Sequence, residues 1–164
     1  MISTEFIDHV LTSKEVVDPN DFILVDKEGE KANKMKLSTS VARARSNAGK
    51  LLWGVPIYCT PHIRHGVKTY ETIAVACHAI WKTYDGKHNT IKKTTREEDG
   101  GAAPDPVYLL TSDTPAEREL YPKFSKMARE GNMEARIVSP DWLLEVCMKQ
   151  EVTYDEEKFA VSKK

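Results

Sequence analysis

Between residues 59 and 65 the chain gathers a thiol, a hydroxyl and two imidazoles: Cys59-Thr60-Pro61-His62-Ile63-Arg64-His65. Cys59, His62 and His65 recur at every third position, and sulfur and imidazole nitrogen are donors that zinc prefers. A closed zinc site takes four ligands, yet no fourth falls in register and no Cys-x-x-Cys occurs, so no metal is expected. A second cluster, Lys87, His88, Lys92 and Lys93, could meet phosphates. Arg96-Glu97-Glu98-Asp99 follows it closely, which makes a solvated loop the default. A third feature is the carboxylate of Asp141 in Ser139-Pro140-Asp141-Trp142, a cap-proline-acid start of a helix. There it meets the positive end of the helix dipole, worth ~0.3–1 kcal/mol. No Gly-rich phosphate loop, Gly-x-Ser-x-Gly turn or paired His/carboxylate motif is present. No catalytic group and no cofactor is therefore expected.

Bulk composition agrees. Twenty-four basic residues face 25 acidic ones, for a net charge of −1, so there is no global field to draw the chain to nucleic acid or an anionic membrane. No apolar run approaches the ~18 residues that span a bilayer, and Met1-Ile2-Ser3-Thr4-Glu5 lacks the pattern of a signal peptide. Three cysteines, Cys59, Cys77 and Cys147, are expected to be reduced thiols of a cytosolic or nuclear protein. The 164 residues, 40% hydrophobic and 30% charged, suit one folded unit with charged extensions.

The elements that must position these residues follow from periodicity. Phe6, Ile7, Val10 and Leu11 predict a helix over 2–13, and Phe22-Ile23-Leu24-Val25 an extended run. Residues 26–36 are almost wholly polar and are expected to be a linker, followed by a short helix from Leu37 that ends at Arg43 and Arg45. From Gly49 the pattern tightens. A first strand ends at Cys59, and Val67, Tyr70, Ile73, Ala74 and Cys77 share a helical face over 67–79. Trp81–Tyr84 and Val107–Leu110 predict the second and third strands, with a mobile polar insertion at 85–106 between them. Thr114-Pro115-Ala116-Glu117 starts a helix to about Glu130 that stops at Gly131, and Ala135–Val138 is the fourth strand. Trp142, Leu143, Val146 and Cys147 give the last helix its apolar side, and core is the favoured role for Trp142. The order β-α-β-β-α-β-α implies an α/β fold with helices on both faces of a parallel sheet.

Two stretches of this pattern resemble the BRCT family. Ile137-Val138-Ser139-Pro140-Asp141-Trp142-Leu143-Leu144-Glu145-Val146-Cys147 is similar to the family's closing strand, Ser-x-x-Trp corner and Leu-x-x-Cys helix. Leu51-Leu52-Trp53-Gly54-Val55-Pro56-Ile57-Tyr58-Cys59-Thr60-Pro61 resembles the opening of C-terminal repeats, with Gly54 and Trp142 as signature positions. Further upstream, residues 2–11 resemble the tail of a preceding repeat, with Phe6 where Trp is usual, and Ser38–Arg45 the linker of tandem pairs. After the 67–79 helix the family's Gly-Gly is replaced by His78-Ala79. The nearest likeness is to the last repeat of fungal regulator-of-Ty-transposition scaffolds and animal DNA-damage mediators.

The resemblance implies a four-stranded parallel sheet with two helices on one face and one on the other. It divides the chain into a trailing helix of a preceding repeat (1–19), an inter-repeat linker (20–48) and a BRCT repeat (49–164). The implied function is non-catalytic and nuclear: the second repeat of a phosphopeptide-binding pair in a DNA-damage scaffold, with a phosphorylated protein or histone tail as partner. Asp141 would orient an arginine of the preceding repeat toward a peptide's terminal carboxylate. Ile73 and Leu144 match positions that wall a pocket for a peptide side chain, although both also fit core periodicity. The family's phosphate pocket belongs to the first repeat, where a Ser or Thr follows the first strand and a Lys stands at the second helix. Thr60 takes that hydroxyl position here, but Glu117 and Glu119 stand where the lysine would and repel phosphate. Two rivals remain: an interaction domain that reads no phosphate, and a small doubly wound enzyme with chemistry at its strand ends.

Overall fold

The computed structural model describes residues 3–13, 16–87 and 105–161. Helix α1 (Glu5–Thr12) begins the chain and packs on a 3₁₀ turn at Pro19–Phe22, where the rings of Phe6 and Phe22 meet edge-on at 5.6 Å. None of its residues is buried, and Ile7, Val10 and Leu11 lie open. The expected extended run at Phe22–Val25 joins no strand of the sheet. Phe22 ends the 3₁₀ turn, and Leu24 and Val25 are exposed. Within the polar stretch expected to be an irregular linker lies helix α2 (Lys27–Ala32), started by Asp26, whose carboxylate accepts from the Gly29 N–H at 2.9 Å. It buries nothing, as its composition requires. Helix α3 (Leu37–Asn47) continues past Arg45 and takes its cap from outside: the Glu30 carboxylate accepts from the Leu37 N–H at 2.9 Å.

Gly54, in a left-handed turn at φ +73°, turns the chain into β1 (Pro56–Cys59), all four residues of which are buried. Then follow α4 (Val67–Ala76), β2 (Ile80–Thr83), β3 (Pro106–Leu110), α5 (Pro115–Arg118), α6 (Tyr121–Glu130), β4 (Glu134–Val138), α7 (Asp141–Lys149) and one turn, α8 (Glu156–Phe159). The strands form one parallel sheet in the order β2-β1-β3-β4. Strand side chains alternate between faces. Ile57, Cys59, Tyr108, Leu110 and Val138 therefore share one face, where α4 and α7 cover them through Tyr70, Ala74, Trp142, Leu143 and Val146. Tyr58, Val107, Leu109 and Ile137 share the other, under Phe124, Met127 and Ala128 of α6. Two helices on one face and one on the other is the expected architecture. Most of the expected insertion, residues 88–104 with His88, Lys92 and Lys93, lies outside the described residues.

The helix expected to run unbroken from 114 to 130 is two helices. Pro122 has no N–H to give the carbonyl four residues back, and its ring would clash there. The chain therefore breaks after Arg118 and restarts with Pro122 in the first turn of α6, where a missing N–H costs nothing. After α4, His78 adopts φ +64°, the left-handed geometry that the family's glycine would favour. Its ring stacks on Trp53 at 5.7 Å. Beyond α7 the structure adds a C-terminal segment outside the expected order of elements: Asp155 caps α8, Phe159 is buried, and Ala160 pairs antiparallel with Val138, covering the edge of β4.

Candidate functional site

The ends of β1, β3 and β4 open on a pocket of about 250 Å³, where Thr111, Ser112, Asp113 and Ser139 meet Arg64 and His65 of the loop before α4. It lies where connections leave neighbouring strands β1 and β3 in opposite directions, the usual place for a ligand on an open parallel sheet. The α5–α6 side of its rim is pinned. Asp113 accepts from both Nε and Nη2 of Arg118 at 2.9 Å and from the Tyr121 hydroxyl at 3.0 Å. The Arg64 N–H donates to Ser112 Oγ at 2.7 Å.

Asp141 stands on the opposite rim, in the first turn of α7. It is exposed and lines the pocket, and among the described residues no salt bridge holds it. Burial, and next the charge of Asp141, push the Tyr70 phenol above its ordinary range. Leu144, one turn further along α7, is 42% exposed, and Met148 continues the same stripe at 38%. Ile73 is half-buried and packs on the core from α4. Helices α4 and α7 touch, with Cys77 Sγ and Cys147 Sγ 3.6 Å apart at the seam. Asp141 and Leu144 thus share one exposed face of α7, while Ile73 sits nearer the core.

Trp142 is wholly buried, stacks on Tyr108 with ring centroids 3.8 Å apart, and donates its indole N–H to the Thr153 carbonyl at 2.9 Å. It is a core residue. The hydroxyl of Thr60 is also occupied: wholly buried, it donates to the carboxylate of Glu117, which is 2% exposed. The same carboxylate closes the start of α5, accepting from the Thr114 N–H at 3.1 Å and hydroxyl at 2.9 Å. Burial alone would raise the Glu117 carboxyl. Hydrogen bonds from Thr60, Thr114 and the Ser112 backbone outweigh it and hold the carboxyl below its ordinary range. The sequence singled out Glu117 for repulsion. Its larger role, filling the hydroxyl's site from within, was signalled only by the Thr-x-x-Glu capping pattern.

The zinc-like spacing dissolves in three dimensions. Cys59 is buried in the sheet, while His62 and His65 are exposed in the loop. Among the described residues no group of three or more potential ligands could hold a metal ion. Burial first, and then the Glu117 charge, push the Cys59 thiol up to about 12, so it is not an activated nucleophile.

No protein-family model and no curated protein matches the sequence. Solved structures do, and they give the class: the chain has the BRCT fold. The S. pombe Brc1 BRCT5-BRCT6 domains match it with a TM-score of 0.64 and 21% identity, over 96% of this chain and 70% of that one. A complex of Rtt107p with a phosphorylated histone matches with a TM-score of 0.50 and 19% identity, over 96% of this chain and 64% of that one. The particular resemblance is therefore to the Brc1 and Rtt107p domains, of whose solved structures this chain spans about two thirds.

Proposed function

We propose that this chain is a non-catalytic interaction module of a nuclear DNA-damage scaffold, the second repeat of a tandem BRCT pair that holds a phosphorylated protein or histone tail. The observation that carries the reading is Asp141: an exposed carboxylate with no salt bridge among the described residues, at the rim of a pocket at the strand ends, with exposed Leu144 one turn away. A planar guanidinium from a preceding repeat would find there the charge that orients it toward a peptide carboxylate. The open apolar face of α1 supports a further unit packing at that end, with 1–19 as its trailing helix, 20–48 as the linker and 49–164 as the repeat itself. The likeness to a two-domain structure also covers 96% of this chain, and so reaches into α1–α3.

The test is Asp141→Asn in a protein that carries both repeats. The substitution keeps the shape and removes the charge, so folding should change by no more than ~1 kcal/mol. Binding of a phosphopeptide with a free terminal carboxylate should weaken by ~1–3 kcal/mol. The same peptide amidated should lose less. Calorimetry on both peptides with both proteins closes a double-mutant cycle. Equal losses, or none, would reduce Asp141 to a helix-end charge.

A further inference from the structure

A cleft of about 680 Å³ opens where α2, the turn after it and α3 meet the end of α7. Its walls carry six cationic side chains against two carboxylates. Both carboxylates are committed: Glu30 caps α3 through the Leu37 N–H at 2.9 Å, and Glu151 pairs with Arg43 at 2.7 Å. Two cations are committed as well, Arg43 to Glu151 and Lys149 to Glu145 at 2.7 Å. That leaves four ammonium groups, on Lys27, Lys31, Lys34 and Lys36, all exposed and none with an acidic partner among the described residues. The chain as a whole is balanced, 24 basic residues to 25 acidic, so this concentration is local. Like charges round one concavity repel each other, and an anionic occupant relieves that repulsion.

We propose that this cleft docks an acidic peptide segment of a partner protein, as a second interaction surface. It does not depend on the reading of Asp141. That residue starts α7 and the cleft lies beyond its other end, ~12 Å away along a nine-residue helix. Lysines act as point charges and suit carboxylates in varied geometry, whereas fixed recognition of a phosphate favours the arginine fork. The one arginine here is already paired. Half-buried Met35 gives the cleft an apolar patch, and Thr39 and Thr153 offer hydroxyls to a peptide backbone. No aromatic side chain lines it for bases to stack on, and Glu30 and Glu151 would oppose a continuous phosphate backbone.

Fluorescein-labelled hexaglutamate is titrated into the whole chain and read by polarisation, with labelled hexaglutamine and a short DNA duplex as parallel probes. Hexaglutamate should bind, weaken as sodium chloride is raised, and lose at least about tenfold in affinity with Lys31→Glu and Lys34→Glu together, while Asp141→Asn leaves it unchanged. Both lysines are exposed, so melting should hold. If the reversed variant melts early, Lys31→Gln with Lys34→Gln must show the same loss in smaller degree. No binding of hexaglutamate, binding indifferent to these lysines, or tighter binding of the duplex through the same lysines would each overturn the proposal.

Discussion

Trp142 shows how much one side chain can decide. Its ring lies flat on Tyr108 and its N–H reaches Thr153, so both the apolar and the polar parts of the indole are satisfied inside the protein. Trp142→Ala should therefore cost ~3–5 kcal/mol, read as a large drop in melting temperature. A shift of a degree or two would mean that the ring is not core. Glu117 carries a pH dependence of definite sign. Its folded carboxyl is held below the ordinary value of ~4.3. Its stabilisation is thus complete above that value and is lost as pH falls through the lower folded one. Urea midpoints followed from about pH 6 to about pH 3 should fall, and Glu117→Gln should be less stable at neutral pH with a flatter slope. Glu145, lowered by Lys149 and Lys158 against the effect of burial, accounts for part of what remains. A slope unchanged by Glu117→Gln would remove the residue from the acid response.

At the scale of elements, α5 is a single turn held almost entirely by its start. Thr114 and Glu117 form a reciprocal capping box, and the same glutamate reaches across to the end of β1. Thr114→Ala should cost ~1 kcal/mol or somewhat more, since it removes one cap partner and one donor to a buried carboxylate. Chemical denaturation measures this, and a neutral result would show that Thr60 and the remaining backbone N–H groups suffice to hold Glu117. The α5–α6 break was legible in the sequence at Pro122, and a proline-aware reading of 114–130 places it correctly. Helix α2 was harder. Its six residues, Lys27–Ala32, have no apolar face, and only the Asp26 cap marks it. Periodicity detects helices that bury something, and this one does not.

For the molecule as a whole, the closed Thr60–Glu117 pair bears on what the chain does alone. The hydroxyl at the end of β1 already donates to a carboxylate, and that carboxylate would repel an incoming phosphate. A phosphoserine peptide of otherwise neutral sequence should show no micromolar, phosphate-dependent binding to this chain by itself. Calorimetry decides the matter. Micromolar affinity, about −8 kcal/mol, would require a phosphate pocket elsewhere on its surface. Among the apolar side chains that the fold exposes are Ile7 and Leu11 of α1, at 59% and 78%, and Leu144 of α7. These faces are where the proposed pairing and its ligand would bury surface.

From residue 51 to the end of α7, the break at Pro122 apart, the order of strands and helices is legible in the chain before any folding is considered. Buried strands read as apolar runs and amphipathic helices repeat near every 3.6 residues, signals that need no partner to be visible. The core role of Trp142 is legible in the same way, since an aromatic on the apolar side of a helix has few other places to go. What each face meets was settled in three dimensions alone. Thr60 and Glu117 are 57 positions apart, and Cys77 and Cys147 are 70 apart. Nothing local in either partner names the other. The same holds for Ala160 closing on Val138, and for the lysines of 27–36 brought to the end of α7. Local pattern fixes which way a side chain points within its element. The path of the chain, set by packing both faces of one sheet at once, fixes what it finds there.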